Sequence, residues 1–311
     1  MNNPTSYTPD EVAKILKISR FTVYEMIKRG NIPAYRVGRS MRVEAADLDT
    51  YIRNSKKHAA VQPNTANQPA ENQPQAAGDF ILCGQDIVLD VLTRHLAAQM
   101  PHMRFLRNYI GSMNALLALY RKAASVASAH LWDSDTDTYN TPYVRRLLPG
   151  QHTLIFNLVY RNAGFYVAKG NPKNIADWQD LTRDTVRLIN RESGAGARVL
   201  LDEMLYMHAI DPRHITGYEQ EEMSHLAVAS CVARGQADVA VGIEKVALQI
   251  SGLDFIPLKK ERYDIVIRRD DLEKPVFQAL LSILQSKAFF NEISGMGGYD
   301  LSDTGKLMHQ L

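Results

Sequence analysis

Residues 7–52 read YTPDEVAKILKISRFTVYEMIKRGNIPAYRVGRSMRVEAADLDTYI. Thr8-Pro9-Asp10-Glu11 has the form of a helix start. Thr8 caps, Pro9 suits the first turn, and Glu11 stands where a capping-box acid belongs. Val12, Ile15 and Leu16 give that helix one apolar face. Lys17-Ile18-Ser19 breaks the pattern. Ser19 then caps a second helix that turns Val23, Met26 and Ile27 inward and stops at Gly30. Two helices joined by so short a turn predict a helix-turn-helix. Ile32 to Val43 predicts a hairpin turning at Gly38, with Arg36, Arg39 and Arg42 on or beside the turn. A short helix from Ala45 to Ile52 closes the unit through Leu48 and Ile52.

The order of these parts closely resembles the winged helix-turn-helix of the excisionase and MerR-like DNA-binding families. It is carried by T-P-x-E-V-A-x-I-L, S-R-x-T-V-Y-x-M-I-K-x-G, I-P-A-Y-R-V-G-R-x-x-R-V and D-L-x-x-Y-I. The resemblance implies an α+β winged helix-turn-helix over residues 1–55 that binds double-stranded operator DNA. Ser19, Arg20, Thr22, Tyr24 and Lys28 would then meet the major groove or its phosphates. Arg36, Arg39, Ser40 and Arg42 on the wing would meet the backbone or minor groove. One such module gives little affinity, so a homodimer or higher homo-oligomer is expected.

Charge is distributed to match. Residues 1–57 hold eleven Lys/Arg against six Asp/Glu, a net of +5, while the whole chain carries +2. Phosphate neutralisation needs positive charge on that unit. Across 311 residues, 45% hydrophobic and 23% charged side chains fit a soluble globular protein with room for two or three cores. The polar N-terminus has no apolar signal segment, and no apolar run is long enough to span a bilayer, so no membrane partner is expected. Cys83 and Cys231 are isolated, with neither zinc spacing nor a disulfide framework, which fits a reducing cytoplasm. No metal or other cofactor is expected.

Residues 56–78 are rich in Gln, Asn, Ala and Pro, and Val61 is their one apolar residue larger than alanine. Such a segment buries too little surface to order itself and reads as a linker. As a flexible coil of ~20 residues it spans roughly 25 Å. From Gly78 onward, strands alternate with helices. Strands are predicted at 79–83, 105–109, 126–131, 154–160, 165–169, 186–189, 239–243, 254–257 and 263–268. Helices are predicted at 86–99, 113–122, 199–208, 224–234 and 274–289. This alternation predicts an α/β domain with parallel sheets over residues 79–311.

In such folds ligands bind at strand C-termini, where helix N-termini offer free N–H groups. Four stretches qualify: Gly84-Gln85-Asp86, Gly111-Ser112-Met113, Ser193-Gly194-Ala195-Gly196 and Met223-Ser224-His225, with Arg191 and Arg198 flanking the third. Taken alone, a Gly-Ser before a helix is more often a simple cap, and His130 and His225 are more often structural. Gly194-x-Gly196 lacks the third glycine of a dinucleotide fingerprint. No P-loop, H-E-x-x-H or G-x-S-x-G is present, and no nucleophile stands beside a base, so an enzyme is not expected.

Together the stretches resemble the type II periplasmic-binding-protein fold, in the cytoplasmic branch attached to helix-turn-helix regulators and some molybdopterin-biosynthesis proteins. The resemblance is carried by Gly111-Ser112-Met113, His130-Leu131-Trp132-Asp133, Asn190-Arg191, Gly194-x-Gly196-x-Arg198, Arg234-Gly235-Gln236-Ala237-Asp238 and Glu261-Arg262-Tyr263-Asp264, among others. The chain departs from it where relatives carry R-G-E-A-D, having Arg121-Lys122-Ala123-Ala124-Ser125, and at Ser128, where glycine is usual. The resemblance implies two lobes, a hinge and a ligand in the cleft between them.

Two ligand classes are weighed. A small oxyanion such as molybdate or tungstate suits the helix-N-terminal Gly/Ser stretches, with Gln85, Ser112, Ser193, Gly194, Ala195, Ser224 and His225 around it. An organic metabolite would use Trp132 and the Tyr side chains as walls, Arg191 or Arg198 against a carboxylate, and Glu244 against an amine. Asp86 and Glu244 would repel a bare dianion if both faced the cleft. An excisionase-like architectural factor with a protein-docking domain is a third expectation, weakened by the size of the α/β region. A LysR-type arrangement would need a long dimerising helix where residues 56–78 stand.

Overall fold

The computed structural model describes residues 6–16, 23, 26–27, 32–37, 40–48, 51 and 79–311. The chain forms two units, Met1–Asn72 and Gln73–Leu311. In the first, β1 (Ser6–Tyr7), α1 (Pro9–Leu16), β2 (Tyr35–Val37) and β3 (Ser40–Glu44) are joined by helical residues Ala45–Leu48. The strands form an antiparallel sheet in the order β1-β3-β2. The expected capping box is present. Thr8 N donates to Glu11 Oε2 at 2.7 Å, and Glu11 N donates to Thr8 Oγ1 at 3.3 Å. Val12, Ala13, Val23, Ile32, Val43 and Leu48 form the core. The inward face of α1 is therefore Pro9, Val12, Ala13 and Leu16, the i, i+3, i+4, i+7 set. Ile15, expected inside, is exposed. Ser19, Gly30, Gly38, Ile52 and the segment 56–78 lie outside the described residues.

The second unit is built on one seven-stranded mixed sheet, in the order β8-β7-β9-β6-β4-β5, with β10 also pairing β7. Its strands are β4 (Asp79–Cys83), β5 (Arg104–Asn108), β6 (Val126–Ala129), β7 (Thr153–Ala168), β8 (Val239–Ile243), β9 (Leu253–Arg268) and β10 (Leu307–Gln310). Its main helices are α2 (Ile87–Gln99), α3 (Ser112–Tyr120), α4 (Gly196–Met207), α5 (His225–Ala233), α6 (Pro275–Leu284) and α7 (Lys287–Met296). Only the β4–β5 and β4–β6 pairs are parallel; the pairs made by β7 and β9 are antiparallel. The expectation of parallel sheets is corrected accordingly.

Strands β7 and β9 each run sixteen residues where two short strands were expected. They explain the two lobes. At one end they pair with β6 and β10, at the other with β8, and between these ends β7 and β9 pair with each other, joined by a single bridge from Tyr160 to Asp300. Register shifts at Pro257/Lys259 and Tyr263/Asp264 bend that bridge. The first lobe packs Leu82, Leu89, Leu158, Ile265 and Leu280. The second packs Phe165, Leu188, Leu201 and Val241. The single helix expected at 274–289 is broken in two, because Ser286 caps α7 by accepting from Phe289 N at 3.2 Å.

Candidate functional site: a cleft between two lobes

Four helices begin at one place. Helices α2 and α3 come from the first lobe, and α4 and α5 from the second. Gln85 and Asp86, Gly111 and Ser112, Ala195 and Gly196, and His225 line a single cavity at their N-termini. The first turn of a helix leaves N–H groups without intrahelical acceptors, at the positive end of the dipole. The lobes are in contact there. Met113 N donates to Gly194 O at 3.0 Å, and a Cβ on Gly111 would lie 3.0 Å from Ala195 Cα. Only small residues permit so close an approach. The enclosed space is about 10 Å³, room for roughly one water. Entry of a ligand therefore requires the lobes to part.

The floor of the cleft lies on the bridging strands. Arg161 on β7 faces Glu261 on β9 as a cross-strand pair, and its Nε donates to Glu261 Oε1 at 2.6 Å. Arg161 Nη1 donates to Asp86 Oδ2, and the guanidinium lies 4.2 Å from the Tyr263 ring centroid. Asp86 is doubly committed, since its Oδ1 accepts from Val88 N at 2.8 Å and from Tyr299 Oη at 2.9 Å. Burial alone would raise the Glu261 carboxyl, but the Arg161 guanidinium, its main opposing influence, holds it at about 2. From the other lobe, Arg191 Nε donates to Glu192 Oε2 at 2.8 Å, and Arg191 Nη2 donates to Gln85 Oε1 at 2.5 Å. Among the described residues, Arg161 Nη2 and Arg191 Nη1 make no hydrogen bond.

Two histidines complete the wall, with ring centroids 6.4 Å apart. His130 Nδ1 lies 2.8 Å from Glu261 Oε2 but makes no aligned hydrogen bond. His225 Nδ1 is buried without a partner among the described residues. Burial lowers both imidazoles, assisted at His225 by Arg191 and Arg161 and partly opposed at His130 by Glu261. Both rings are thus neutral in the folded cleft near neutral pH. The unfolded chain binds those protons from about pH 6.5 downward, so stability is present above that pH and is lost as pH falls below it. Between pH 7.5 and 5.5, urea unfolding is expected to lose about 1–2 kcal/mol. An unchanged midpoint across that window would show the histidines to be charged or solvated when folded.

The residues expected at the site divide into groups. Gln85, Asp86, Gly111, Ser112, Arg191, Ala195 and His225 line the cleft. Met113 and Gly194 make the interlobe backbone contact beside it. Ser224 caps α5, accepting from Ala227 N at 3.1 Å, and lines an adjoining cavity. Ser193 is exposed and is not among the residues that line the cleft. Trp132 is corrected from wall to core: its Nε1 donates to Asp137 Oδ1 at 2.9 Å and Lys259 Nζ sits 4.1 Å from its ring. Arg198 is corrected likewise, being engaged by Asp202 and Glu221 at 3.0 and 2.9 Å. Glu244 opens onto a different cavity and accepts from Asn162 Nδ2 at 2.8 Å. Arg161, Ser128, His130 and Tyr263 line the cleft without having been expected there. In the first unit, Ser19, Arg20, Thr22, Tyr24, Lys28 and Arg39 lie outside the described residues. Arg36 and Ser40 stand on β2 and β3, and Arg42 pairs opposite Tyr35.

A family profile described as the PBP superfamily domain matches residues 93–285, and one described as a helix-turn-helix domain matches residues 6–56. The chain belongs to the PBP superfamily. The uncharacterized protein YvgK of Bacillus subtilis (strain 168) is 42% identical over 309 residues, 99% of each chain. A Clostridium perfringens ABC-transporter substrate-binding protein solved with bound phosphate is similar in fold. It has a TM-score of 0.55 at 12% identity, over 72% of this chain and 99% of that one. The sulfate-binding protein SubI from Mycobacterium tuberculosis H37Rv gives 0.53 at 13% identity, over 71% and 86%. The PBP-superfamily unit and the helix-turn-helix domain are binding-protein and DNA-binding types rather than catalytic families. Their combination is that of a ligand-binding, DNA-binding regulator. No helix among the described residues is long and apolar enough to cross a membrane.

Proposed function

We infer that the chain is a one-component transcriptional regulator that senses a small oxyanion such as molybdate or tungstate. Residues 1–55 bind operator DNA as a dimer, residues 56–78 link, and residues 79–311 close on the anion. The observation that carries the ligand class is the convergence of four helix N-termini, two from each lobe, on one small cavity that also holds Arg161 and Arg191. Oriented N–H groups in a dry cavity stabilise an anion without a net positive charge. The repulsion expected from carboxylates is limited. Asp86 lines the cleft with its charge met by Arg161, and Glu244 lies outside it. The organic alternative keeps Tyr263 and Arg191 in the cleft but loses Trp132 and Arg198, which are spent elsewhere. The phosphate-bound and sulfate-binding relatives add only that the fold is able to hold an oxyanion.

Thermal unfolding of the full chain against molybdate, tungstate, sulfate, phosphate and small organic acids tests this. A ligand at ~100 times its dissociation constant adds about 2.7 kcal/mol, a rise of roughly 5 °C or more for a domain of this size. A response to molybdate or tungstate, together with a ligand-dependent change in operator affinity, is expected. A response only to organic acids would overturn the oxyanion. Silence throughout would favour a protein-docking role for the second unit.

A further inference from the structure

Beside the cleft lies a second cavity of about 220 Å³, and its chemistry is different. Ile87 and Tyr109 from the first lobe and Met223, Leu226, Ile243 and Val246 from the second make its walls. Four of these are large and exposed: Ile87 at 44%, Tyr109 at 58%, Met223 at 69% and Leu226 at 58%. Apolar side chains gathered in a concave site, with few polar groups among them, mark a place where something apolar sits. The volume sets the size. An apolar cavity of ~150 Å³ holds benzene, so this one accepts a single ring with a substituent.

The polar groups set the charge. Lys245, a cation on the wall, donates its Nζ to Met296 O. Asp86 reaches the same cavity with its carboxylate bound by Arg161 and Tyr299. A carboxylate ligand would thus meet the Asp86 carboxylate in a largely apolar site, with Lys245 held toward the Met296 carbonyl, which disfavours an acid. Among the described residues, two polar groups of the wall make no side-chain hydrogen bond, the Gln249 amide and the buried Nδ1 of His225. We propose that this cavity is a second effector site, which takes a small uncharged ring compound bearing one hydrogen-bonding group for His225.

Occupancy has a consequence for the cleft. Both lobes supply walls, so the cavity holds its shape at one lobe separation, and a molecule that fits it favours that arrangement. Gln85, Asp86 and His225 line both cavities. The two ligands therefore bias one closure, and each changes the other's affinity by the same factor. This coupling rests on the oxyanion proposed above; occupancy of the apolar cavity does not.

The probes are phenol, benzyl alcohol and indole, with benzoate as the charged control, each titrated calorimetrically into the full chain. The neutral rings are expected to bind and benzoate to bind at least tenfold more weakly. Val246→Phe fills the cavity and is expected to abolish ring binding while leaving any oxyanion response in place. Leu226→Gln alters an exposed wall residue with little demand on the fold, and is expected to weaken the rings by about tenfold. Equal binding of benzoate and phenol, no binding of any ring, or ring binding unchanged in both variants would overturn the proposal. Ring binding with no response to any oxyanion would uphold this site while refuting the cleft ligand.

Discussion

Arg161→Met is expected to lower the stability of the second unit by about 3–5 kcal/mol and to abolish ligand binding in the cleft. At roughly 2–4 °C per kcal/mol for a domain of this size, the melting temperature should fall by about 6–20 °C. Arg161 and its partners Asp86 and Glu261 have side chains only 2%, 1% and 1% exposed. Removing the guanidinium leaves two buried carboxylates without their cation, and that uncompensated charge, rather than lost packing, makes the effect large. It also predicts a pH signature. Burial is the largest influence on Glu261 and acts upward; Arg161 is the main influence opposing it. Without Arg161 the carboxyl rises, so the deficit at neutral pH should shrink as pH is lowered toward 5. Arg161→Met combined with Glu261→Gln should recover part of the loss, because the remaining group is neutral and able to hydrogen-bond. A single variant within 1 kcal/mol of the parent at pH 7 would show that the network contributes little.

How much of this was legible in the sequence follows from where partners come from. Starts of helices depend on local residues, and they were readable. Asp86, Gly111, Ala195 and Ser224 are the N-caps of α2, α3, α4 and α5, each in or beside a stretch picked out for its small or capping residues. That locality is why most of the cleft rim was found. Its floor was not. Arg161-Asn162 and Lys259-Lys260-Glu261-Arg262 interrupt apolar runs and read as loops between short strands. They are instead the middle of two long strands, at the bridge between lobes. There the sheet carries a buried charged pair, Arg161 and Glu261, in place of apolar side chains, so apolar alternation lapses while the backbone stays extended. The most consequential cation in the cleft was hidden by the same interruption that marks the hinge.

Trp132 and Arg198 failed for the opposite reason. Each has a near partner in sequence, Asp137 for the Trp132 Nε1 and Asp202 for Arg198, that the reading of the sequence did not assign to it. Lys259 reaches the Trp132 ring and Glu221 reaches Arg198 from distant positions, and single-sequence spacing carries no trace of such pairings. The fold class was legible, a helix-turn-helix unit followed by an α/β periplasmic-binding-protein-like unit, but the strand directions were not. Alternating strands and helices suggested parallel sheets, yet β7 and β9 must run antiparallel to bridge the lobes, so the sheet is mixed.

Gly196→Ala is expected to leave the fold standing and to weaken ligand binding in the cleft on the order of 100-fold. At the first position of α4, alanine is a better helix former than glycine by ~1 kcal/mol, so local stability should not suffer. The obstacle lies across the cleft. A Cβ on Gly196 would stand 2.3 Å from His130 Cε1 and 2.4 Å from its Nδ1, whereas non-bonded carbon atoms sit about 3.5–4.0 Å apart. His130 has little freedom to yield, with Glu261 Oε2 at 2.8 Å and the Tyr263 ring edge-on at 5.5 Å between centroids. The strain is relieved by parting the lobes, which draws the N-termini of α2 and α3 away from those of α4 and α5. An anion held from both sides then loses half of its donors. In thermal unfolding, the free variant should match the parent within ~1 kcal/mol, while the ligand-induced rise disappears. His130→Ala in the same chain removes the ring that the new methyl strikes. It should restore a measurable part of the rise, which general damage to α4 would not allow. If Gly196→Ala binds the ligand as tightly as the parent, the lobes do not need this contact, and the ligand sits somewhere other than between them.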